Sequence, residues 1–375
     1  ALPICLLSDA FAGIAVGICA ETENAPAEIG VLGCRLPCGI NQNRWIMKVL
    51  LVRLSSMGDL IHTLPAVSDL ARHRPDVELD WICEAGFADI ARLHPFVRRV
   101  HTMRWRYWRK HLLQSATWQE MAALKRDLRQ AQYRQVVDSQ GLLKSAWFAR
   151  WANAPITGLN RESARESWAA HWYRYTVDVP KGRDAVWRNR MILAQAFGYT
   201  IDSPPDFGVQ IPEGAQGSLH LPDAYHVAAH ATSRDAKLWP VGNWLALWRK
   251  QHETDGLPVL LPWGSEPEKQ RAQFIADQLP FAQVCPQLSL LQAAFLMKNA
   301  RSIVGVDTGL LHLANAVNRP VVGIYTDSDP EKAGVQPSAW TANIGGIGQN
   351  PSAEEVFDLL QTCLQNDPLQ KQPAR

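Results

Sequence analysis

The run MKVLLVRLSSMGDLIHTLPAV, residues 47–67, passes from a strand pattern to a helix pattern within a few residues. Its first part contains the apolar segment VLLV, residues 49–52, as in a buried parallel strand. From Asp59 onward the apolar residues recur at helical spacing, although Pro65 interrupts them. The turn between the two parts contains Gly58 but lacks the G-x-G-x-x-G fingerprint of a dinucleotide loop. This run therefore predicts the first strand and helix of an α/β protein, joined by a loop of another kind.

The same alternation of short apolar runs and helical stretches continues along the chain, which indicates an α/β protein with parallel sheets. In the first half, strands are predicted at residues 48–54, 78–84, 99–103, 134–140 and 155–159. In the second half, they are predicted at residues 225–231, 257–262, 282–287, 302–308 and 320–325. The clearest helices are predicted at residues 59–74, 115–131, 182–199 and 352–366.

A segment rich in Pro, Gly, Ser and Asp, residues 200–218, separates the two series and is the best candidate for an interdomain linker. We expect one α/β domain at residues 47–205 and a second at 206–366, with a cleft facing the carboxyl ends of the strands. Residues 1–46 lack the basic start of a signal peptide. We interpret them as an extraneous or weakly ordered extension or, alternatively, as a weak interfacial anchor. The tail at 367–375 should fray.

The composition is that of an ordinary globular protein: 375 residues, 47% apolar and 20% charged. The net charge of +2 conceals an asymmetry. Residues 47–200 carry 24 Lys and Arg against 14 Asp and Glu, whereas residues 201–375 carry 12 against 18. The basic half is expected to face an anionic partner. The seven cysteines contain no C-x-x-C pair, so reduced cytosolic thiols are the simplest interpretation.

One loop of the second half has the pattern of an anion site. In VGVDTGLLHLANA, residues 304–316, a strand ends at Asp307, and Thr308 and Gly309 lead into an apolar helix. Free backbone N–H groups and the helix dipole at such a start attract a diphosphate, and His312 lies one turn further on. The alternative is an ordinary core helix that Asp307 or Thr308 caps.

Two further loops of the second half carry groups that suit a nucleotide. The loop HATSRDAKLWP, residues 230–240, offers Thr232, Ser233 and Lys237 as donors to phosphate oxygens. The helix start in LPWGSEPEKQRA presents Glu266, which can accept hydrogen bonds from ribose hydroxyls. Each loop alone could equally be solvated surface or first-turn helix electrostatics. Together, three such loops after three strands predict a nucleotide-diphosphate site.

The first half carries different chemistry at its strand ends. The motif SSMGD supplies Ser55, Ser56 and Asp59, and VVDSQGLLKSA supplies Lys144. A carboxylate facing the cleft can serve as a general base on an incoming hydroxyl, and a lysine there can neutralise an anionic substrate. Asp59 could instead be a simple helix cap.

A basic and aromatic stretch, RRVHTMRWRYWRKHLL at residues 98–113, contains six Arg and Lys among Trp105, Tyr107 and Trp108. This combination is typical of a surface that meets an anionic membrane. It also suits nucleic acid, but the low net charge and the lack of a recognition motif argue against that partner. The remaining interpretation is a solvated face whose aromatic side chains pack inward.

Five motifs taken together resemble the bacterial lipopolysaccharide heptosyltransferase family, and most closely its type I members. They are SSMGDLIHTLPA, DSQGLLKSA, HATSRDAKLWP, LPWGSEPE and VDTGLLHLANA, in the family's order. The resemblance implies an α/β protein of GT-B fold, with two facing Rossmann-like domains. It implies inverting transfer of L-glycero-D-manno-heptose from ADP-heptose to a Kdo sugar of Kdo2–lipid A, at the cytoplasmic face of the bacterial inner membrane. Residues 1–46 have no counterpart in the family.

The resemblance also assigns roles to individual residues. Asp59 matches the general base, Lys237 is expected to stabilise the departing ADP, and Leu288 falls where the family packs an apolar residue against adenine. The other donor-binding positions match Thr232, Ser233, Lys237, Glu266, Asp307, Thr308, Gly309 and His312. The acceptor-binding positions match Ser55, Ser56, Lys144 and Arg165. No metal and no cofactor are expected.

Other functions remain open at this point. Type II and III members, which act on a heptosylated core, are the nearest alternative, although the first motif favours type I. A Rossmann dehydrogenase would need a glycine-rich first loop, which neither half contains. A GT-B nucleotide-sugar epimerase would turn over donor without acceptor. A non-catalytic nucleotide-binding or membrane-scaffold protein would not depend on Asp59.

Overall fold

The structure is a computed structural model that describes residues 46–367. The expectations for residues 1–45 and 368–375 lie outside the described residues. In the described part, twelve strands form two six-stranded sheets, and all pairings between these strands are parallel. The predicted α/β architecture with parallel sheets is confirmed.

The first sheet is built around the opening strand of the fold. Its strands are β1 Met47–Val52, β2 Val77–Glu84, β3 Val97–Met103, β4 Gln135–Asp138, β5 Ile156–Leu159 and β6 Tyr175–Val177. Their order across the sheet is β3-β2-β1-β4-β5-β6. Because successive side chains of a strand point to opposite faces, Val49 and Leu51 enter one hydrophobic core, whereas Leu50 and Val52 enter another. Strand β1 is thus buried on both faces, as its apolar run predicts.

The second sheet repeats this arrangement. Its strands are β7 His226–Ala229, β8 Val259–Leu261, β9 Ala282–Val284, β10 Ser302–Val306, β11 Val321–Tyr325 and β12 Thr341–Gly345. Their order is β12-β11-β10-β7-β8-β9, so the first strand of each series lies at the centre of its sheet. In such sheets ligands bind at the carboxyl ends of the two central strands, where the strand order reverses. These switch points are the ends of β1 and β4 in the first sheet, and of β7 and β10 in the second.

Helices connect the strands and cover the sheets. In the first series they are α1 Met57–Ile61, α2 Leu64–His73, α3 Ala88–Arg92, α4 Trp105–Trp108, α5 Ser115–Gln130, α6 Leu143–Ala149 and α7 Ala185–Phe197. In the second they are α8 Val241–Asp255, α9 Glu266–Ala276, α10 Leu290–Asn299, α11 Gly309–Ala316, α12 Pro330–Ala333 and α13 Ala353–Gln365. Helix α7 packs on α2, where Arg190 donates to the buried Asp69 carboxylate at 2.6 and 3.1 Å. Within residues 46–367, no helix has the length and apolar character needed to cross a bilayer.

The predicted strands are all present, with ends that differ by at most three residues. Strands β6 and β12 were not predicted, because β6 has only three residues, two of them exposed, and β12 is only partly buried. The predicted helix at 59–74 is two helices, since Pro65, which has no N–H, occupies the first turn of α2. Residues 200–218 contain no helix or strand. The domain boundary at 205/206 stays a prediction.

Candidate active site

Asp59 lies in the first turn of α1, just after the chain leaves β1. Its Oδ1 accepts a hydrogen bond from the Arg53 guanidinium at 2.9 Å. Its Oδ2 accepts from the Ser56 backbone N–H at 2.7 Å and from the Ser56 hydroxyl at 3.0 Å. These bonds belong to a capping box at the helix start. The side chain remains 36% exposed, so Asp59 stabilises the helix start and still faces solvent.

The surroundings of Asp59 keep its carboxyl group ionised. Burial alone would raise its pKa, but the charge of Arg53 and the hydrogen bonds from Ser56 outweigh burial and lower the pKa below its usual value. The group is therefore a carboxylate at neutral pH. A carboxylate is the form that can accept a proton from a hydroxyl.

Gln140, after the end of β4, holds the loop that precedes α1. Its side chain accepts a hydrogen bond from the Leu54 backbone N–H at 2.8 Å and donates one to the Ser55 carbonyl oxygen at 3.2 Å. Arg53 is fixed from the same side, because its guanidinium donates to the Ser139 carbonyl oxygen at 2.6 Å. The ends of β1 and β4 are thus tied together at the first switch point.

A cavity of about 150 Å³ opens beside Asp59, and Ser55 lies on its wall. Three arginines also line it: Arg53, Arg165 and Arg188. Within the described residues, Arg53 and Arg188 each have a buried Nε without a hydrogen-bond partner. Arginine side chains match carboxylate and phosphate oxygens in geometry and charge. The cavity therefore suits an anionic group of a substrate.

Lys144, another predicted acceptor contact, is not part of this cavity's lining. It lies half-buried on α6, where burial lowers the pKa of its ammonium group. The charge of Glu84 opposes this shift, and the charges of Arg106 and Arg109 add to it. Lys144 is thus electrostatically coupled to the basic stretch of the first half. Its contact with an acceptor stays a prediction.

Asp307 is the centre of a charged cluster at the end of β10. Its carboxylate is paired with the Lys237 ammonium and accepts a hydrogen bond from the Ser328 hydroxyl at 2.7 Å. It also lies 3.6 Å from His312 Nε2. Burial would raise the pKa of the carboxyl group, but these three contacts lower it well below its usual range. The Thr232 hydroxyl donates to the Asp307 carbonyl oxygen at 2.8 Å, so four predicted donor-site residues meet at the second switch point.

Helix α11 begins directly at this cluster, with Thr308 before it and Gly309 as its first residue. Within the described residues, no side chain caps this helix, so the capping role considered for Asp307 or Thr308 is not observed. The first N–H groups of α11 are therefore available to an anion. A Cβ on Gly309 would lie 2.7 Å from the Met57 sulfur, so the glycine lets α1 approach closely.

The remaining predicted donor contacts lie on neighbouring loops at the same edge of the second sheet. Ser233 is exposed in the loop after β7, and Glu266 is exposed at the first position of α9, after β8. Leu288 is half-buried between β9 and α10. Ser233, Glu266 and Leu288 thus follow the carboxyl ends of β7, β8 and β9, respectively. Their contacts with a nucleotide stay a prediction.

The two switch points meet because α1 packs against α11. His62, at the end of α1, approaches His312 of α11 with 3.1 Å between Nε2 and Nδ1. The charges of both Asp59 and Asp307 act on His62, which lies between them. The predicted base and the predicted diphosphate site therefore lie along one crevice.

Positive charge at the donor side of this crevice comes from Lys237 and from the start of α11. Among residues 46–367, no group of three or more His, Cys, Asp or Glu side chains is arranged to hold a metal ion.

Of the interpretations considered for the basic and aromatic stretch, the tryptophans match the solvated face whose aromatic side chains pack inward. Trp108 is buried in the core and donates to Glu120 at 2.7 Å, and Trp105 packs edge-on against Phe148. Tyr107 stays partly exposed. Both tryptophans pack between α4 and α6, where their apolar rings are removed from water, so they do not provide an exposed membrane-binding surface. The exposed apolar side chains near the arginines are instead Leu112, Leu113 and Trp118.

Three residues near the site were not predicted from the sequence: His62, Arg188 and Ser328. Arg188 falls inside the predicted helix at 182–199, and only the packing of α7 turns it toward Asp59. Ser328 follows the end of β11. The same strand-end argument that found Asp307 would have found it.

Comparison with known proteins identifies the family. The sequence model of the family described as glycosyltransferase family 9 (heptosyltransferase) matches residues 121–363. The chain is 42% identical to lipopolysaccharide heptosyltransferase 1 of Pseudomonas aeruginosa over 286 residues, which are 76% of this chain and 80% of that protein.

Two solved structures of Escherichia coli heptosyltransferase WaaC are similar over most of the chain. The structure with ADP is 35% identical, with a TM-score of 0.77, and the match covers 84% of this chain and 99% of that chain. The structure with ADP-2-deoxy-2-fluoro heptose is 33% identical, with a TM-score of 0.74 and the same coverage of 84% and 99%. The two-sheet architecture is thus the GT-B fold that the sequence predicts. The chain belongs to glycosyltransferase family 9 and is a heptosyltransferase.

Proposed function

We propose that this heptosyltransferase moves L-glycero-D-manno-heptose from ADP-heptose to a Kdo residue of Kdo2–lipid A, with inversion at the anomeric carbon, in the synthesis of the lipopolysaccharide inner core. The observation that carries the proposal is the contact between α1 and α11, which brings Asp59 and Asp307 to one crevice. Similar proteins are named lipopolysaccharide heptosyltransferase 1 or have been solved with ADP and an ADP-heptose analogue.

Asp59 acts as the general base in this proposal. Its Oδ2 accepts two hydrogen bonds from Ser56, whereas within the described residues Oδ1 accepts only the bond from Arg53. Because a carboxylate oxygen has two lone pairs, Oδ1 retains one for an acceptor hydroxyl. Asp59 takes the hydroxyl proton while the oxygen forms a bond to the anomeric carbon. The bond to ADP breaks on the opposite face of the sugar, which inverts the configuration.

The departing ADP gains negative charge as this bond breaks. Lys237 and the first N–H groups of α11 lie at the edge where the diphosphate is expected, and they stabilise that charge. Asp307 keeps the Lys237 ammonium in place before the donor arrives. Glu266 is available for ribose hydroxyls, and Leu288 offers an apolar surface for adenine.

The three arginines beside Asp59 bind the acceptor. Kdo is a sugar acid, and its carboxylate matches the guanidinium groups of Arg53, Arg165 and Arg188 in charge and shape. An anionic group held there brings a hydroxyl of the same sugar to the base. The volume of about 150 Å³ admits part of one sugar, so the lipid must lie outside the cavity.

The lipid part of the acceptor stays in its membrane, so the protein must approach the membrane surface. Leu113 is fully exposed and Trp118 is 55% exposed, and both lie within a few residues of the exposed Arg109 and Lys110. Exposed apolar side chains together with positive charge suit the interface of an anionic bilayer. We propose a peripheral position at the cytoplasmic face of the inner membrane.

The test of the proposal is incubation of the purified protein with ADP-heptose and Kdo2–lipid A, with the product mass measured. The expected product carries one additional heptose, and a parallel reaction with a heptosylated acceptor should give no further addition. Addition to the heptosylated acceptor alone would identify a type II or III enzyme. Turnover of ADP-heptose without transfer to either acceptor would contradict the proposal.

A further inference from the structure

His62 forms a hydrogen bond between the two halves of the protein, and the chemistry described above gives it no role. It is the residue at which α1 ends, and it is only 7% exposed. Its Nε2 lies 3.1 Å from Nδ1 of His312, which is 5% exposed on α11. A buried polar contact between residues 250 positions apart in the chain fixes two elements relative to each other.

The two helices are shaped for this contact. A Cβ on Gly58 would lie 2.9 Å from His312 Cδ2, closer than such atoms approach each other. A Cβ on Gly309 would likewise lie 2.7 Å from the Met57 sulfur. Helices α1 and α11 therefore approach each other at Gly58 and Gly309. This close approach allows the hydrogen bond between the imidazole rings of His62 and His312.

The histidine pair links the two reacting sides of the crevice. On one side, His312 Nε2 lies 3.6 Å from Asp307 Oδ1, in the cluster that holds Lys237. On the other side, His62 ends the helix that carries Asp59, and the Asp59 carbonyl oxygen accepts a hydrogen bond from Thr63 at 2.8 Å. The pair thus connects the cluster at Asp307 with the helix of the base.

The charge state of His62 suits a neutral hydrogen bond. The groups that face it are His312 and Asp307 from the second half, and Asp59 and Arg53 from the first. Burial, with His312 and Arg53 acting in the same direction, lowers the pKa of His62 to about 3, against the opposite effect of the carboxylates. The neutral ring donates through Nε2 when the Asp307 carboxylate favours the tautomer of His312 that carries its proton on Nε2.

We propose that His62 is a positioning residue that sets the base helix α1 in register with the diphosphate helix α11, so that it governs the rate of transfer and not the affinity for the donor. The inference rests on the proposed function, since it assigns α1 to the base and α11 to the donor. A misplacement of about 1 Å between reacting groups can slow a reaction about a hundredfold. One hydrogen bond that fixes the register is therefore expected to have a large kinetic effect.

The test compares His62→Leu, which keeps the volume but has no donor, with His62→Gln, whose amide nitrogen takes the place of Nε2. We expect His62→Leu to lower kcat about ten- to hundredfold, with the Kd for ADP-heptose changed less than about threefold, and His62→Gln to restore most of kcat. Transfer by His62→Leu at the wild-type kcat would overturn the inference. Equal loss of kcat in both variants, or a loss confined to donor Kd, would also overturn it.

A third variant covers the case in which His62→Leu fails to fold. His62→Asn has the same amide on a shorter side chain, which does not reach His312 Nδ1. Its kcat should lie well below that of His62→Gln, and equal values would overturn the inference. Absence of heptose transfer by the wild-type protein would instead contradict the proposed function, so the two failures are distinguishable.

Discussion

The Arg53 guanidinium lies 2.9 Å from Asp59 Oδ1 and donates a second hydrogen bond to the Ser139 carbonyl oxygen at 2.6 Å. The arginine is therefore anchored at the end of β4 and carries a permanent positive charge beside the proposed base. This charge keeps Asp59 ionised at neutral pH, although a strongly stabilised carboxylate is a weaker base. The Arg53–Asp59 pair thus increases the fraction of Asp59 that is ionised and lowers the basicity of its carboxylate.

Replacing Arg53 by methionine should shift the acid limb of the kcat/KM profile to higher pH. Activity requires ionised Asp59. The enzyme is therefore active above the pKa of Asp59, and activity is lost as the pH falls through that pKa. Wild-type Asp59 has a lowered pKa. Removal of the guanidinium takes away the largest effect that opposes burial, so the pKa of Asp59 rises. The measurement is kcat/KM for transfer between pH 4 and 8, with Arg53→Lys, which retains the charge, as control. An unchanged acid limb in Arg53→Met would contradict this account.

Replacing Lys237 by methionine should lower kcat by roughly 10²–10³, because the ammonium stabilises charge that develops only as ADP leaves. The matched control is Lys250→Met, since Lys250 is also paired with a carboxylate, that of Glu354, on the helices α8 and α13. The control should retain kcat within about twofold. Equal kcat values for the two variants would show that Lys237 has no part in the departure of ADP.

Arg188→Met should weaken the acceptor and leave the donor unaffected. A hydrogen bond to a charged group is worth enough to raise the KM for Kdo2–lipid A about ten- to hundredfold. The KM for ADP-heptose should be unchanged, because Arg188 lines the cavity beside Asp59 and not the cluster at Asp307. Arg161→Met, at an exposed position outside the cavity lining, is the control. A rise in the KM for ADP-heptose, with the KM for Kdo2–lipid A unchanged, would contradict the assignment of Arg188 to the acceptor.

Leu113→Asp should weaken binding to vesicles that contain anionic lipid about tenfold or more. The substitution removes an apolar side chain from the membrane interface, and it adds a negative charge that the anionic lipid repels. Phe274→Asp is the control, since Phe274 is also an exposed apolar residue, on α9 of the second half. Co-sedimentation with vesicles gives both affinities. Equal weakening in the two variants would show that the membrane does not meet the surface at Leu113.

Much of the fold follows from local patterns in the chain. The run from Val49 to Val52 is apolar without interruption, so a strand buried on both faces could be predicted before the sheet was known. Strand β6 could not be predicted in this way, because its short and largely exposed sequence forms a strand only when β5 offers an edge. The break at Pro65 follows from the missing N–H, but its position two residues into α2 depends on packing.

The candidate site was predictable where the chain supplies a strand end followed by polar residues. Asp59 and Asp307 were found by that rule. Arg53 lies in the same loop as Asp59, and Lys237 lies in the loop after β7, which also follows a strand end. Arg188 and the contact of His62 with a residue 250 positions away were not predictable, because both depend on how separate helices pack. The sequence likewise left open whether Trp108 faces a membrane or packs inward, and its burial among core side chains decides for the second.

The most direct test of the central claim is the rate of heptose transfer by Asp59→Asn under saturating ADP-heptose and Kdo2–lipid A. Asparagine keeps the shape of the side chain and can still accept from Arg53, but it cannot take a proton. We predict that kcat falls about 10²–10⁴-fold, the usual contribution of a general base, while calorimetry shows donor binding as in the wild type. Transfer by Asp59→Asn at the wild-type rate would contradict the account.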